Sequence, residues 1–274
     1  MKSENRKEII GIYRKYLRIS FFFCIFARDF GGKGTQNAMD EKNISSLEEI
    51  LSAFFETVVT GDRSSSSPLV DAMRDMYVQK PTSAFCEFEL DDDSIGTAID
   101  ALKGHLNSIS DCTRSLNMPL TYLLDELICN IQQHAQTERG YAYLEFEPDS
   151  NSIDIIIADF GITIYGSYAA AQKHLDKLGN SDAEALNLAQ NGYSVKNLPN
   201  AENRGYGISS NIRMVVDGLH GEFAVLSGNA LLLRTGTQKK ILALPSEIDY
   251  KGTIVVVKIP AVLPKDFNLY KYTS

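Results

Sequence analysis

The sequence predicts an α/β protein: a two-layer α/β sandwich, with a mixed sheet covered by helices on one face and a smaller α+β region ahead of it. Two observations carry this expectation. From about residue 84 onward, stretches with apolar residues at helical spacing alternate with short β-branched runs such as Ile153-Asp-Ile-Ile-Ile-Ala158 and Ile254-Val-Val-Val-Lys-Ile-Pro260. The 274 residues, 44% of them hydrophobic, suffice for one large core or for a domain with a smaller partner. No internal repeat is visible.

The first stretch opens with a basic segment of helical pattern, Lys2 to Lys15, followed by the apolar run Ile19 to Ala27 between Arg18 and Arg28. That run is too short to span a bilayer and lacks a small-residue cleavage pattern, so a buried strand is expected and not a signal peptide. Gly31-Gly-Lys33-Gly34 tempts a phosphate-loop reading, but the lysine is followed by Gly34, not by Ser or Thr at a helix mouth. An ordinary loop is expected there. Ser45 to Val59 predicts a helix, with Ser45 or Ser46 as cap, Glu48 and Glu49 in the first turn and Ile50, Leu51, Phe54, Phe55 and Val58 on one face. Gly61-Asp-Arg-Ser-Ser-Ser-Ser67-Pro68 breaks the pattern, and a further helix is expected through Met73 and Met76. The second breaker, Lys80-Pro-Thr-Ser83, places a boundary near residue 82. The expected organisation is an N-terminal region 1–82, a domain 83–263 and a C-terminal tail 264–274.

Within the second domain a strand is expected over Ala84–Leu90 and helices over Ile95–Ile109 and Pro119–His134. Two strands follow, Ala142–Glu147 and Ile153–Ala158, joined by the turn Pro148-Asp-Ser-Asn151. A polar helix-forming stretch runs from Ser167 to Gln190, and another helix opens at Gly207. The end is strand-rich: Glu222–Leu226, Ala230–Arg234, Lys240–Leu244 and Thr253–Ile259.

A net charge of −8 argues against a phosphate-backbone binder, which needs a basic face, so direct nucleic-acid binding is not expected. Cys24, Cys86, Cys112 and Cys129 show no zinc or dithiol spacing and read as four buried thiols in a reducing, cytoplasmic setting.

Four short segments carry the chemistry. In Glu126-Leu-Ile-Cys-Asn130 the acid and the amide stand one helical turn apart. Leu120, Leu123, Leu124, Leu127, Ile128 and Ile131 form the opposite, apolar stripe. Such a pair is either a solvated polar face or a device that positions water and holds a magnesium ion through oxygen. Asp159-Phe-Gly161 ends a buried strand, where a carboxylate can accept from an exocyclic amine while the glycine lets a flat ring approach, or where the chain simply turns. Arg204-Gly205-Tyr206-Gly207-Ile-Ser-Ser210 leads into a helix whose N-terminal N–H groups and dipole suit an anion, although a tight turn into a helix needs the same glycines. Gly252-Thr253 opens the last strong strand and offers a hydroxyl to the same ligand.

In this order and at these intervals the four segments resemble the N, G1, G2 and G3 boxes of the GHKL superfamily, which shares the Bergerat ATP-binding fold. The resemblance covers roughly residues 84 to 262. The helix Glu126-Leu-Ile-Cys-Asn130-Ile-Gln-Gln-His134 is most similar to that of the anti-sigma serine kinases. It implies ATP and Mg2+ as ligands, with Glu126 as general base or water-orienting carboxylate and Asn130 as the magnesium ligand. Asp159 would bind the adenine amine, and Gly205 and Gly207 would line the phosphates. His134, Gly161, Thr163, Tyr206, Ile208, Ser209 and Thr253 complete the implied contact set. A mobile lid would run from about Tyr165 to Asn203, bringing Lys196 toward the phosphates.

One position departs from the pattern: Thr163 stands where the family's G1 box usually has a second glycine, and a side chain there is expected to narrow the pocket or stiffen the lid hinge. Ser209 and Ser210 are expected to compensate by donating hydroxyls to a phosphate. The implied function is an ATP-binding regulator that phosphorylates Ser or Thr of a regulatory partner, of anti-anti-sigma or transcription-regulatory type, with a second copy of the chain as a further candidate partner. The alternative is an interaction module, gated by nucleotide or free of it, without turnover. No histidine-kinase dimerisation segment precedes the region, since His105, His134, His174 and His220 all lie inside it. No transducer domain of the gyrase type is expected after Pro260.

Overall fold

The computed structural model describes residues 68–109, 115–195, 207–244 and 249–273. The expectations for residues 1–67, including the helix at Ser45–Val59, and those for Cys24, Cys112, Lys196, Gly205 and Tyr206 lie outside the described residues.

The chain divides into two compact units between Gln79 and Lys80, three residues before the expected boundary. In the first unit, helix α1 (Pro68–Gln79) starts on a proline that supplies a helical φ and acidifies its first turn with Asp71. Leu69 and Met73 on one side of it are fully buried.

The second unit is built on a seven-stranded sheet. Its elements are β1 (Ser83–Glu89), helices α2 (Asp92–Ile109) and α3 (Asn117–His134), then β2 (Arg139–Glu147) and β3 (Ser152–Asp159). Three short helices follow, α4 (Ile164–Ala171), α5 (Leu175–Leu178) and α6 (Asp182–Gln190), and then α7 (Ile208–Ile212), which widens into a π-helix over Arg213–Gly218. Strands β4 (Glu222–Gly228), β5 (Ala230–Arg234), β6 (Lys239–Ala243) and β7 (Tyr250–Pro260) complete the sheet, and α8 (Tyr270–Thr273) closes the described chain.

The strand order is β1-β2-β3-β7-β4-β5-β6, and every neighbouring pair is antiparallel. The expected mixed sheet is thereby corrected. The chain does cross over from β3 through its helices to β4, which runs in the same direction as β3, but β7 is inserted between them and pairs antiparallel with both. A parallel ladder never forms because the last strand takes the central slot.

One face of the sheet carries Leu144, Ile155, Ile157, Phe223, Val225, Val255 and Val257, and it shares a single core with α2, α3, Leu186 of α6 and the π-helix. The alternation of strand side chains puts Tyr143, Ile156, Leu231 and Leu233 on the other face, and these are buried as well. That second face also bears a row in register, Glu145, Asp154, Lys258 and Glu222, with the Tyr143 hydroxyl donating to Glu145 at 2.8 Å and Lys258 3.9 Å from Asp154. Burial drives the Asp154 carboxyl up to about 7 against the pull of Lys258, with Glu145 and Glu147 adding to the rise.

The stretch Ser167–Gln190, expected as helix-forming, is three helices. Gln172 in a left-handed conformation ends α4, His174 in a left-handed conformation caps the start of α5, and Gly179 with a positive φ ends α5. Cys86 and Cys129 are half-buried, not fully buried as expected. Residues 264–273 are no free tail: Phe267, Leu269 and Tyr272 pack on the main core, and Phe267 stacks on Tyr272. The Tyr272 ring occupies the space a Cβ on Gly218 would need, with ring atoms 2.8 Å from it. Gly218→Ala is therefore expected to eject the Tyr272 ring and expose residues 264–274 to limited proteolysis. Leu123→Ala, deep in the core, is expected to lower global stability by about 2–5 kcal/mol in urea unfolding.

Candidate nucleotide-binding site

The cleft lies at the C-terminal end of β3, where helix α3, the start of α4 and the N-terminus of α7 converge. Its empty space, counting its open mouth, is about 860 Å3. Asn130, His134, Asp159, Thr163, Gly207, Ile208, Ser209 and Thr253 all line it, so eight residues from four separated segments are brought to one cavity.

Helix α3 buries Leu120, Leu123, Leu124, Leu127, Ile128 and Ile131, and this stripe fixes its rotation. Asn130 and His134, one turn apart, then face the cleft. The Asn130 Nδ2 is buried without a hydrogen-bond partner among the described residues, which costs about 1–3 kcal/mol unless something bonds to it. Its Oδ1 lies 3.8 Å from where a Cβ on Gly207 would stand. Glu126 is half-buried and one turn back from Asn130, about 6 Å along the axis, outside the lining of the cleft.

Asp159 is 3% exposed. Its Oδ1 accepts the Gly161 N–H at 2.9 Å. Burial raises its carboxyl to about 7, opposed by backbone hydrogen bonds from Gly161 and Thr253. The surroundings leave it little room. Gly252 holds φ +110, and a Cβ on it would stand 2.1 Å from the Asp159 carbonyl oxygen, an oxygen that also accepts the Tyr250 hydroxyl at 2.7 Å. Gly161, expected to let a flat ring approach, is not among the residues that line the cleft. A Cβ there would be 1.8 Å from the Ala135 carbonyl, so the glycine is required by the end of α3, which also takes the Ile162 N–H at 2.6 Å.

Thr163 is in the lining of the cleft. It is the N-cap of α4, with ordinary extended backbone (φ −70) and Oγ1 accepting from the Gly166 N–H at 3.0 Å, so no glycine is needed at this position. Gly207 opens α7 with φ 143, but its N–H is not available to an anion because it donates to Ser210 Oγ at 3.0 Å. That hydroxyl donates in turn to the Gly207 carbonyl, so Ser210 is spent on the turn and only Ser209 of the serine pair lines the cleft.

The expected lid divides into two parts. Helix α6 belongs to the sandwich: Leu186 is in the main core, and Gln190 accepts from Arg234 Nη1 of β5 at 3.3 Å. Asp182 at its start accepts the Asn229 N–H at 3.2 Å. Tyr168, Leu178, Ala185 and Leu188 form a small separate core with Val195 packed on it. The last described segment of the expected lid, Gly192–Val195, lines the cleft and is pinned by the Tyr168 hydroxyl on the Tyr193 carbonyl and by His174 Nε2, 3.2 Å from the Ser194 carbonyl.

Sequence reasoning missed Tyr250, Asp182 and Ser227. Ser227 is buried at the end of β4, and its only sequence signal is a serine closing an apolar strand before Gly-Asn. No cluster of three or more His, Cys, Asp or Glu suited to a metal exists among the described residues, and no helix there is long and apolar enough to cross a membrane. No protein-family model matches the sequence, and a search of curated proteins finds no match.

The raised Asp159 carboxyl makes a prediction with a definite sign. Folding takes up a proton at this residue between its unfolded value near 4 and about 7, so stability falls as pH rises through that window and is lowest above it. Asp159→Asn removes a buried charge and is expected to raise the thermal midpoint of the ligand-free chain at pH 8. The underlying free energy is up to the order of 4 kcal/mol at about 1.4 kcal/mol per pH unit. The gap between variant and parent should narrow to less than half at pH 5 and close only below about pH 4, and an equal gap at pH 8 and pH 5 would contradict the assignment.

Proposed function

We propose that this chain is an ATP-binding regulatory protein of the kind its four segments resemble, in which nucleotide bound in the cleft sets the conformation of the Gly192–Val195 segment and so the docking of a protein partner. The observation that carries the reading is Asp159: a buried carboxylate in the lining of the cleft, its Oδ1 held by the Gly161 N–H. Such a group recognises an exocyclic amine, and a ligand donor there replaces the water that burial removed. Across the cleft, the α7 N-terminus and Asn130 stand where a phosphate chain would lie.

The donor set suits magnesium in one respect only. Asn130 Oδ1 would hold the ion together with phosphate oxygens and water, the mode in which Mg2+ neutralises phosphate charge without a carboxylate cage. Asp159 would hold the base, and His134 and Ser209 would flank the chain between.

Binding that gates a partner is favoured over phosphoryl transfer by one observation. Glu126, the expected general base, lies outside the lining of the cleft, and transfer would need its carboxylate within hydrogen-bond reach of the attacking hydroxyl. Kinase activity toward Ser or Thr of a partner is the second reading, and it requires α3 or the bound partner to bring Glu126 inward. A cytoplasmic location, a regulatory protein as partner and a homodimer belong to the same proposal.

The test is thermal unfolding with and without Mg-ATP. At about 100 times its dissociation constant, ATP is expected to add about 2.7 kcal/mol, and Asp159→Asn should abolish the shift. Affinity should also decline by up to about tenfold per pH unit below the Asp159 value of about 7, because a protonated carboxyl no longer accepts from an amine. No shift at millimolar ATP would sink the reading.

A further inference from the structure

Ser227 serves three partners with one hydroxyl. Its Oγ, on a residue 1% exposed, lies 3.0 Å from the Gly252 carbonyl oxygen, 2.9 Å from the Ile164 nitrogen and 3.2 Å from Thr253 Oγ1. A serine hydroxyl has one proton and two lone pairs. The Gly252 carbonyl can only accept, so it takes the proton. The Ile164 amide can only donate, so it takes one lone pair. What remains for Thr253 is the second lone pair, and the Thr253 hydroxyl must therefore supply the proton of that contact. With its hydrogen turned into the sheet, Thr253 shows only lone pairs to the cleft it lines.

Thr253 is the register partner of Asp159 across the β3–β7 ladder, so the two groups stand side by side at one end of the cavity. Ionised Asp159 is an acceptor without a proton of its own. Both groups at this end then ask for a donor: the two hydrogens of one exocyclic amine can serve both, whereas a keto ring supplies a single N–H beside its carbonyl and sets that carbonyl's lone pairs against the other acceptor. Removal of a matched hydrogen bond in such a site is worth far more in selectivity than a change of size.

We propose that Ser227 is a specificity-determining residue of this cleft. By taking the proton of Thr253 it makes the base end acceptor-only, so that a ring bearing an exocyclic amine is selected over its keto counterpart. The proposal rests on the nucleotide reading above. Ser227 touches no ligand itself and acts through Thr253, which makes it a positioning residue. Through Ile164 the same hydroxyl also fixes the first turn of α4, so the polarity of the base end and the start of the helical segment beside it are set together.

The experiment is calorimetric titration of the full chain with Mg-ATP and Mg-inosine triphosphate, which carries a keto oxygen where ATP has its amine, at pH 8 where Asp159 is ionised. The parent is expected to prefer ATP by about tenfold or more. Ser227→Ala, which frees the Thr253 proton to turn into the cleft, should cut the ATP-to-inosine ratio about fivefold or more, and Ser227→Thr, which keeps a hydroxyl, should restore it. Thr253→Val should lower the ratio while leaving the Ser227 bonds to Gly252 and Ile164 in place, and it serves if Ser227→Ala does not fold. In the Thr253→Val background, Ser227→Ala should have no further effect on the ratio. An unchanged ratio in Thr253→Val, or in a folded Ser227→Ala, overturns the proposal, as does a parent that binds both triphosphates equally; in each case nucleotide binding itself stands. A parent that binds neither triphosphate overturns the nucleotide reading and this inference with it.

Discussion

Backbone meets backbone at the end of β3 with no room for a side chain between. The Asp159 carbonyl presses on Gly252 of β7, and two residues later Gly161 presses on the Ala135 carbonyl at the end of α3. These two contacts fix three elements relative to one another: β3, its ladder neighbour β7, and the helix that carries Asn130 and His134. Asn130, His134, Asp159 and Thr253 in the lining of the cleft all stand on these three. The constraint is steric and non-negotiable, because a Cβ at either glycine would overlap a backbone atom that the hydrogen bonds from Tyr250 and Ile162 also hold in place.

That rigidity is what allows an unfavourable group to persist. A carboxyl raised to about 7 by burial is destabilising in the ionised state, and it survives because the ladder and the main core over-determine its position. The stabilising work is done elsewhere, in the layer formed by α2, α3, α6 and the π-helix on the β-branched face of the sheet. The same division runs through the expected lid. Helix α6 is anchored in that layer by Leu186, and among the described residues Gly192–Val195, beside the cleft, is held by side-chain contacts to two carbonyls.

Much of this was legible in the sequence where one local rule dominated. The β-branched run Ile153–Ala158 and the apolar stripe of Leu120–Ile131 announce a buried strand and a core-facing helix, and their ends put Asp159 and Asn130 near the places they occupy. Legibility failed where the answer depends on a partner far along the chain. Nothing near Thr253 says that its strand returns to the centre of the sheet and separates β3 from β4, so a mixed sheet was the reasonable expectation. Nothing in Gly161 distinguishes room for a ligand from room for the Ala135 carbonyl. Ser210 and Thr163 read as groups offered to a phosphate or obstructing it, whereas both close helix starts, a local use that spacing alone does not separate from a distant one.

Ser227 shows why hydrogen-bond bookkeeping reaches further than motif matching at such a site. A motif names Thr253 as a hydroxyl and leaves open whether it gives or takes a proton. The choice is made by a residue on a different strand, through its duty to two backbone groups that have no freedom of their own. Each of those backbone groups is in place for a structural reason: the Gly252 carbonyl because of the steric contact with Asp159, the Ile164 amide because Thr163 caps the helix behind it. The hydrogen-bonding character of the cleft at Thr253 is thus a consequence of how β3, β7 and α4 are locked together. A change to any of the three would reach the ligand through this hydroxyl before it altered the outline of the pocket.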